Sequence, residues 1–379
     1  MTTKAISFLG YTKPDQPYRQ TTYVYEGREC TTAFMAEATA RLFRSEIQEI
    51  LVIVIKEAYE QNFADLERAV AEVVPIRPIH IPSGRNAVEL WEIFAAIERE
   101  IEPGDRIIFD ITNGFRSIPV LALLITSFVR IVRGATLERM IYGAYDATRN
   151  NLTPVFDLTP LVELLDWTSA TDAFLRYGRA DVLADLARDQ GLAQKLRRLT
   201  DALQTSRPAE VMKTAVGLKT AIDAERKTAP QQPFTLLLDR IDREYSVFGL
   251  SDPHQPTNAE AVLRKQLAMI KWYIEKGLYV QAITSAREWL VSLVVYHRGG
   301  DLFDNSARTD AESKLNDRSG VPLTGVPLNI SDQIRTLWRQ TIEVRNSLAH
   351  VGMRRNAPEA QKVIEKVCET CSKLDELLS

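Results

Sequence analysis

The stretch DRIIFDITNGFRSIPVLALLITSFVRIVRG (105–134) decides the reading of the first half of the chain. DRIIFDIT is β-branched, apolar and short, as a buried strand requires. The polar turn around Asn113 and Gly114 breaks it, and a long apolar helix follows from about Ser117. Arg130 and Arg133 interrupt that apolar run, so a buried helix is expected rather than a membrane span. Working outward, AISFLG (5–10), EILVIVI (49–55), IRPIHIP (76–82) and LERMIYGAY (137–145) read as further strands. Pro78 cannot donate to a ladder, which puts 76–82 near a sheet edge. Helical patterns lie between them, from about Cys30 to Phe43, over 60–73 and over 86–100. Alternation of this kind predicts an α/β Rossmann-like domain with a mostly parallel sheet covered on both faces. Such sheets place ligands at the C-terminal ends of their strands. Three loops are thereby singled out: Gly10–Lys13, Pro82–Asn86 and Thr112–Ser117.

From about Leu161 the strand signal ends, and an all-α C-terminal region is expected. Polar breaks fall at 228–233 and 251–258. Helices are read over 259–277, 279–297 and 331–350, with a polar loop of some 25 residues from Gly299 and a last helix opened by Pro358. The expected division is an α/β domain at 1–160, a helical connector at 161–250 and a C-terminal helical domain at 251–379. With 379 residues, 45% hydrophobic, 26% charged and a formal net charge of −3, the chain reads as globular and not as a strongly basic nucleic-acid binder. Cys30, Cys368 and Cys371 are too few for a disulfide scaffold. The N-terminus lacks the pattern of a signal peptide, so a cytoplasmic location is expected. The lone Cys-x-x-Cys at 368–371 lacks two further ligands, so no metal site is expected there.

The turn FDITNGFRSIP (109–119) carries chemistry of its own. A helix N-terminus offers free N–H groups and partial positive charge to an anion. Arg116 adds a full charge, and Thr112, Asn113 and Ser117 add short hydrogen-bonding groups. This suits a phosphate or a nucleotide edge, yet it is neither GxGxxG nor a P-loop. An ordinary capped βα turn would look the same.

Of the four histidines, His80 lies in a strand, His254 in a Pro-rich break and His297 at a helix end. His350 closes VRNSLAH (344–350), an Arg-x4-His pattern at a helix end, with Gly352 two residues on. Cleavage of RNA by its own 2′-hydroxyl needs no metal. A histidine moves protons near neutral pH, and an arginine stabilises charge on the phosphoryl oxygens. On a continuous helix, residues five apart point about 140° apart, so the pair converges only at a helix end or with a second subunit. The spacing alone is weak evidence.

Three blocks in order, FLGY (8–11), IPSGRNAVELWEIF (81–94) and IIFDITNGFRSIPVL (107–121), resemble the sensor half of CARF–HEPN ribonucleases of type III CRISPR systems. Residues 258–379 resemble the HEPN nuclease half, with Asn346 after the arginine and the upstream helix QAITSAREWLVS (281–292). The resemblance implies a homodimer whose CARF domain binds cyclic oligoadenylate, with cyclic tetra-adenylate the expected form. It implies ligand contacts at Gly10, Tyr11, Thr12, Ser83, Gly84, Arg85, Thr112, Asn113, Gly114, Arg116 and Ser117. Asn113 stands where these sensors commonly carry His. It further implies single-stranded RNA as substrate, catalysis by Arg345 and His350 with Asn346 orienting them, and a supporting role for Arg287 and Glu288. The products would be a 2′,3′-cyclic phosphate and a 5′-hydroxyl. A ligand-binding regulator with an inert helical domain is the alternative. No basic helix-turn-helix is visible, so stable DNA binding is not expected. A Rossmann-type metabolic enzyme is disfavoured by the missing glycine fingerprint.

Overall fold

The computed structural model describes residues 2–12, 18–113, 118–228, 232–317, 319, 321–350, 352–353 and 355–378. The chain divides into two compact units, 1–163 and 164–379. Among the described residues of the first unit, eight strands form one sheet: β1 (Thr3–Leu9), β2 (Thr21–Tyr25), β3 (Arg28–Thr32), β4 (Glu49–Val54), β5 (Ile76–His80), β6 (Arg106–Asp110), β7 (Thr136–Gly143) and β8 (Leu152–Asp157). Their order is β3-β2-β8-β7-β6-β1-β4-β5. The run from β7 to β5 is parallel throughout, while β8 pairs antiparallel with β7. The mostly parallel sheet expected from the sequence is thus present, with Pro78 on the edge strand β5.

Period-two side-chain direction builds a core on each face. Ala5 and Leu9 of β1, with Ile50, Val52 and Val54 of β4, face a core closed by α1 (Met35–Leu42). The same core takes Phe63, Leu66 and Val70 from the helical run α2 (Lys56–Ala58), a π turn (Tyr59–Phe63) and α3 (Ala64–Val70). Ile6, Phe8, Leu51 and Ile53 face the other way, against α4 (Ala87–Arg99) and α5 (Ile118–Val132).

Four expectations are corrected. Residues 21–32 form the β2–β3 hairpin, with Tyr23 opposite Cys30, so the helix begins at Met35 and not at Cys30. The two-residue turn Glu26–Gly27 has positive φ at both positions, 46° and 78°, which matches the twist of paired strands. The sheet does not stop at 137–145, because β8 follows and pairs in parallel with β2 as well. The segment after Gly299 is not one long loop: α14 (Asn305–Asn316) forms there, capped by Asp304, whose carboxylate accepts from Ala307 N at 2.7 Å. Finally, α5 is buried on one side only. Ala122, Ile125 and Val129 are in the core, while Val120, Leu124, Phe128 and Ile131 are exposed.

The second unit is helical. Its helices are α6 (Thr159–Tyr177, which straddles the division), α7 (Asp181–Leu186), α8 (Gln190–Gln204), α9 (Pro208–Val216), α10 (Leu218–Thr228), α11 (Gln232–Tyr245), α12 (Ala259–Glu275), α13 (Tyr279–His297), α14, α15 (Leu328–Ala349) and α16 (Ala360–Ser372). One continuous core runs from Trp167 to Leu377, so the helices before and after residue 250 share it. No helix among the described residues is long and apolar enough to cross a membrane.

Candidate functional site

In the sheet order, β4 and β5 lie on one side of β1, and β6 and β7 on the other. The chain direction therefore switches between β1 and β6, where an open α/β sheet leaves a crevice at its strand ends. Gly10 follows β1, and Thr112 and Asn113 follow β6. A Cβ added at Gly10 would sit 3.0 Å from the Tyr18 hydroxyl and 3.6 Å from the Asn113 carbonyl oxygen. The two loops lie close together, and it is the Tyr18 hydroxyl that leaves a side chain at residue 10 little room.

Buried polar groups fix this crevice from below. Asp110 is fully buried at the end of β6. Its carboxylate accepts from Ser7 Oγ at 2.5 Å, Thr112 N at 2.9 Å and Thr112 Oγ1 at 2.5 Å. The Thr112 hydroxyl in turn accepts from Gly143 N at 2.8 Å, which ties β7 to the same turn. Burial raises the Asp110 pKa above the ordinary carboxylate range, with the Ser7 and Thr112 donors pulling the other way. Tyr18 accepts from Gly10 N at 2.9 Å and donates to Gly10 O at 3.1 Å. Burial pushes its phenol up to about 12, so it keeps the proton that the second bond needs. Asn62 Nδ2 also donates to Gly10 O, at 3.1 Å, and Thr12 N donates to Gln61 Oε1 at 3.2 Å. Tyr11 is left exposed.

The loop after β5 carries Ser83, Gly84 and Arg85. Asn86 caps α4 by accepting from Glu89 N at 3.0 Å, and Glu89 returns the contact to Asn86 Nδ2 and Arg85 N, each at 2.9 Å. This reciprocal box leaves the Arg85 side chain exposed at a helix N-terminus. Gly114, Arg116 and Ser117 lie outside the described residues. Asp110, Tyr18, Gln61 and Asn62 were not singled out by sequence. Of these, only Asp110 lies within the turn sequence 109–119, and the other three reach the crevice through tertiary contacts.

In the second unit, α15 presents one face to the core through Ile334, Leu337, Trp338, Thr341, Val344 and Leu348. Arg345 and Asn346 flank that face half-buried, and Arg345 Nη1 donates to Asn346 Oδ1 at 3.3 Å. His350 is the residue that ends α15, its N–H donating to Asn346 O at 3.0 Å, and Gly352 follows with φ +66°. The exposed His350 lines a cleft of about 150 Å³ with Ser347, Asn356 and Lys366. Arg345 is not among that cleft's lining.

Arg287 and Glu288 form a network of their own. Arg287 ion-pairs with Glu288 and Glu312 and lies over the Trp338 ring, 5.2 Å from its centroid. Arg308 Nη2 reaches Glu288 Oε2 at 2.7 Å. A larger cavity of about 490 Å³, lined by Gln266, Tyr273, Glu288 and Arg308 among others, does not include Arg345 or His350. Among the described residues no three His, Cys, Asp or Glu side chains gather as a metal site would require. Cys371 is buried on α16 and Cys368 half-buried.

Two family models match separate stretches of the chain. Residues 4–145 match the family model of the CARF domain of CRISPR system endoribonuclease Csx1, and residues 163–251 that of the second domain of CRISPR-associated protein MJ1674. The CRISPR-associated protein MJ1674 of Methanocaldococcus jannaschii is 29% identical over 210 residues, covering 52% of this chain. The matched region spans 31% of that relative's length. Among solved structures, Enterococcus italicus Csm6 bound to cyclic hexa-2′-fluoro-hexa-dAMP aligns over 100% of this chain and 94% of its own, with 12% identity and a TM-score of 0.47. With a Csx1-type CARF domain in its first unit and an MJ1674-type second domain behind it, the chain is a CARF-containing accessory protein of type III CRISPR systems.

Proposed function

We propose that this protein is a homodimeric, metal-independent endoribonuclease that cuts single-stranded RNA when cyclic oligoadenylate, in the form of cyclic tetra-adenylate, occupies its CARF domain. The observation that carries the reading is the match of residues 4–145 to the Csx1 CARF domain. The crevice formed by Gly10, Thr112 and Asn113 lies where that fold takes a ligand, and Arg85 brings a cation to the neighbouring helix N-terminus.

In the second unit, Arg345, Asn346 and His350 supply the minimal chemistry. The 2′-hydroxyl of a ribose attacks its own phosphate. His350 moves the proton, Arg345 stabilises the charge on the phosphoryl oxygens, and Asn346 holds the guanidinium. The bond to the 5′-oxygen breaks, leaving a 2′,3′-cyclic phosphate and a 5′-hydroxyl. Arg345 is not among the described residues lining the His350 cleft, which fits a composite site completed by a second copy. The connector at 161–250 would carry coupling to the nuclease region at 251–379, and activation requires the ligand to bind the active arrangement better than the idle one.

A second copy also has somewhere to dock. The exposed residues Val120, Leu124, Phe128 and Ile131 recur at helical spacing along α5, and Val88 and Trp91 extend the stripe on α4. The rings of Trp91, Phe94 and Phe128 join the two helices, with centroids 5.6 and 5.3 Å apart. A continuous apolar face of this kind marks an interaction surface.

The test is cleavage of a fluorogenic RNA in EDTA, with and without cyclic tetra-adenylate, by the wild type and by His350→Ala. Cleavage only with ligand, abolished in His350→Ala while ligand binding persists, is the expected result. Ligand binding without cleavage in the wild type would instead establish a regulator with an inert helical unit.

A further inference from the structure

The π turn Tyr59–Phe63 is built into the sensor crevice. A π turn is rare, and its presence inside a helix frequently marks a functional site. Here its geometric effect is legible. Ala58 and Phe63 are both buried, although residues five apart on a regular α-helix point about 140° from each other. The i→i+5 turn brings them onto one face and leaves four consecutive residues, 59–62, on the outward side.

Topology then places those four residues. They follow β4, which lies between β1 and β5, so they stand between the Gly10–Thr12 loop and the Ser83–Arg85 loop. Gln61 and Asn62 hold the first of these loops through its backbone, as the bonds to Thr12 N and Gly10 O show. Tyr59 is exposed. Its ring stacks on Phe63 at 4.9 Å and meets the edge of His80, the last residue of β5, at 4.7 Å. The result is an aromatic surface, supported from below by a core phenylalanine and open above.

We infer that Tyr59, backed by Phe63 and flanked by His80, is a stacking platform for a purine base of the ligand, and that the π turn exists to present it there. The inference rests on the proposed sensing of cyclic oligoadenylate. A ligand that reached both flanking loops would pass over this segment. Flat aromatic side chains take bases of any sequence by stacking, and the loss of one such contact weakens binding by about ten-fold or more. Gln61 and Asn62 are positioning residues, since they act through the Gly10–Thr12 backbone.

The experiment uses the full chain and cyclic tetra-adenylate carrying one 2-aminopurine. Stacking on an aromatic ring quenches that base. Wild type is expected to bind with quenching. Tyr59→Phe should keep both affinity and quenching, because only the ring is required. Tyr59→Ala should bind about ten-fold more weakly and lose most of the quenching, and His80→Ala should lose part of each. Tyr59→Ala binding with wild-type affinity and full quenching would overturn the platform while leaving the sensor reading intact. A wild type that binds no cyclic oligoadenylate at all would overturn both. Thermal melting of each variant separates loss of a contact from loss of the fold.

Discussion

At the residue scale, Asp110 sets a pH test of the crevice. The carboxyl is wholly buried and burial raises its pKa. In the unfolded chain an aspartate loses its proton at about pH 3.9. Folded, this one holds its proton to higher pH, so its contribution to stability is present at low pH and is lost as pH rises through the folded pKa. Asp110→Asn imitates the protonated form: the amide oxygen can still accept from Thr112, and the amide nitrogen can donate to Ser7 Oγ. The melting temperature of Asp110→Asn relative to wild type should therefore improve as pH is raised from 4 to 7. A difference that stays constant would mean that the buried group ionises like an ordinary carboxyl. At the other end of the chain, Arg345→Lys keeps a charge but loses the planar fork that meets a phosphate with two bonds. RNA cleavage should drop on the order of a hundred-fold, with ligand affinity unchanged. A small drop would show that Arg345 acts as a charge alone.

At the scale of elements, α6 ends in a contact that its sequence does not advertise. Gly178 N donates to Phe174 O at 2.7 Å with Gly178 at φ +67°, where a side chain is disfavoured. A Cβ there would also overlap the Trp272 ring at Cη2. Trp272 cannot retreat freely, because its ring is in the core and its Nε1 donates to Glu244 at 2.8 Å. Backbone strain and overpacking together should make Gly178→Ala cost about 2–4 kcal/mol, or roughly 5–10 °C in the melting of the helical unit. Calorimetry that found no change would mean that the end of α6 is pliable. The same contrast between local and tertiary information explains what the sequence disclosed. Of the five parallel strands, β1, β4 and β6 were legible as short apolar runs buried almost throughout, and β5 and β7 by the apolar residues they carry between polar stretches, although both are partly exposed. The β2–β3 hairpin was not, since its turn is Glu26–Gly27 and lacks the Asn–Gly or Asp–Gly signal. β8 was missed because Pro154 interrupts a six-residue run. Within the crevice, Gly10, Thr112 and Asn113 were read from strand ends, whereas Tyr18, Gln61 and Asn62 reach it only through the folded chain.

At the scale of the whole molecule, the reading turns on whether one chain is enough. α5 looked like a buried helix because it is apolar nearly all round, and the structure buries only half of it. An apolar helix with an open face has lost part of the hydrophobic stabilisation that its composition offers, at about 25 cal/mol for each Å² left in water. A second copy laying its own α4 and α5 against this face would recover that term, and it would bring two sensor crevices and two sets of Arg345 and His350 into one particle. The decisive variant is Leu124→Glu with Ile131→Glu. Leu124 is 56% and Ile131 85% exposed, so neither charge disturbs the core of the single chain. The expected outcome is a folded monomer, with near wild-type melting at high dilution and the mass of one chain by light scattering. That monomer should fail to cleave RNA at any concentration of cyclic tetra-adenylate, although Arg345, Asn346 and His350 are untouched. A variant that stays dimeric places the interface elsewhere. A monomer that still cuts RNA would show that a single α15 carries a complete site, and the composite reading of Arg345 and His350 would have to be given up.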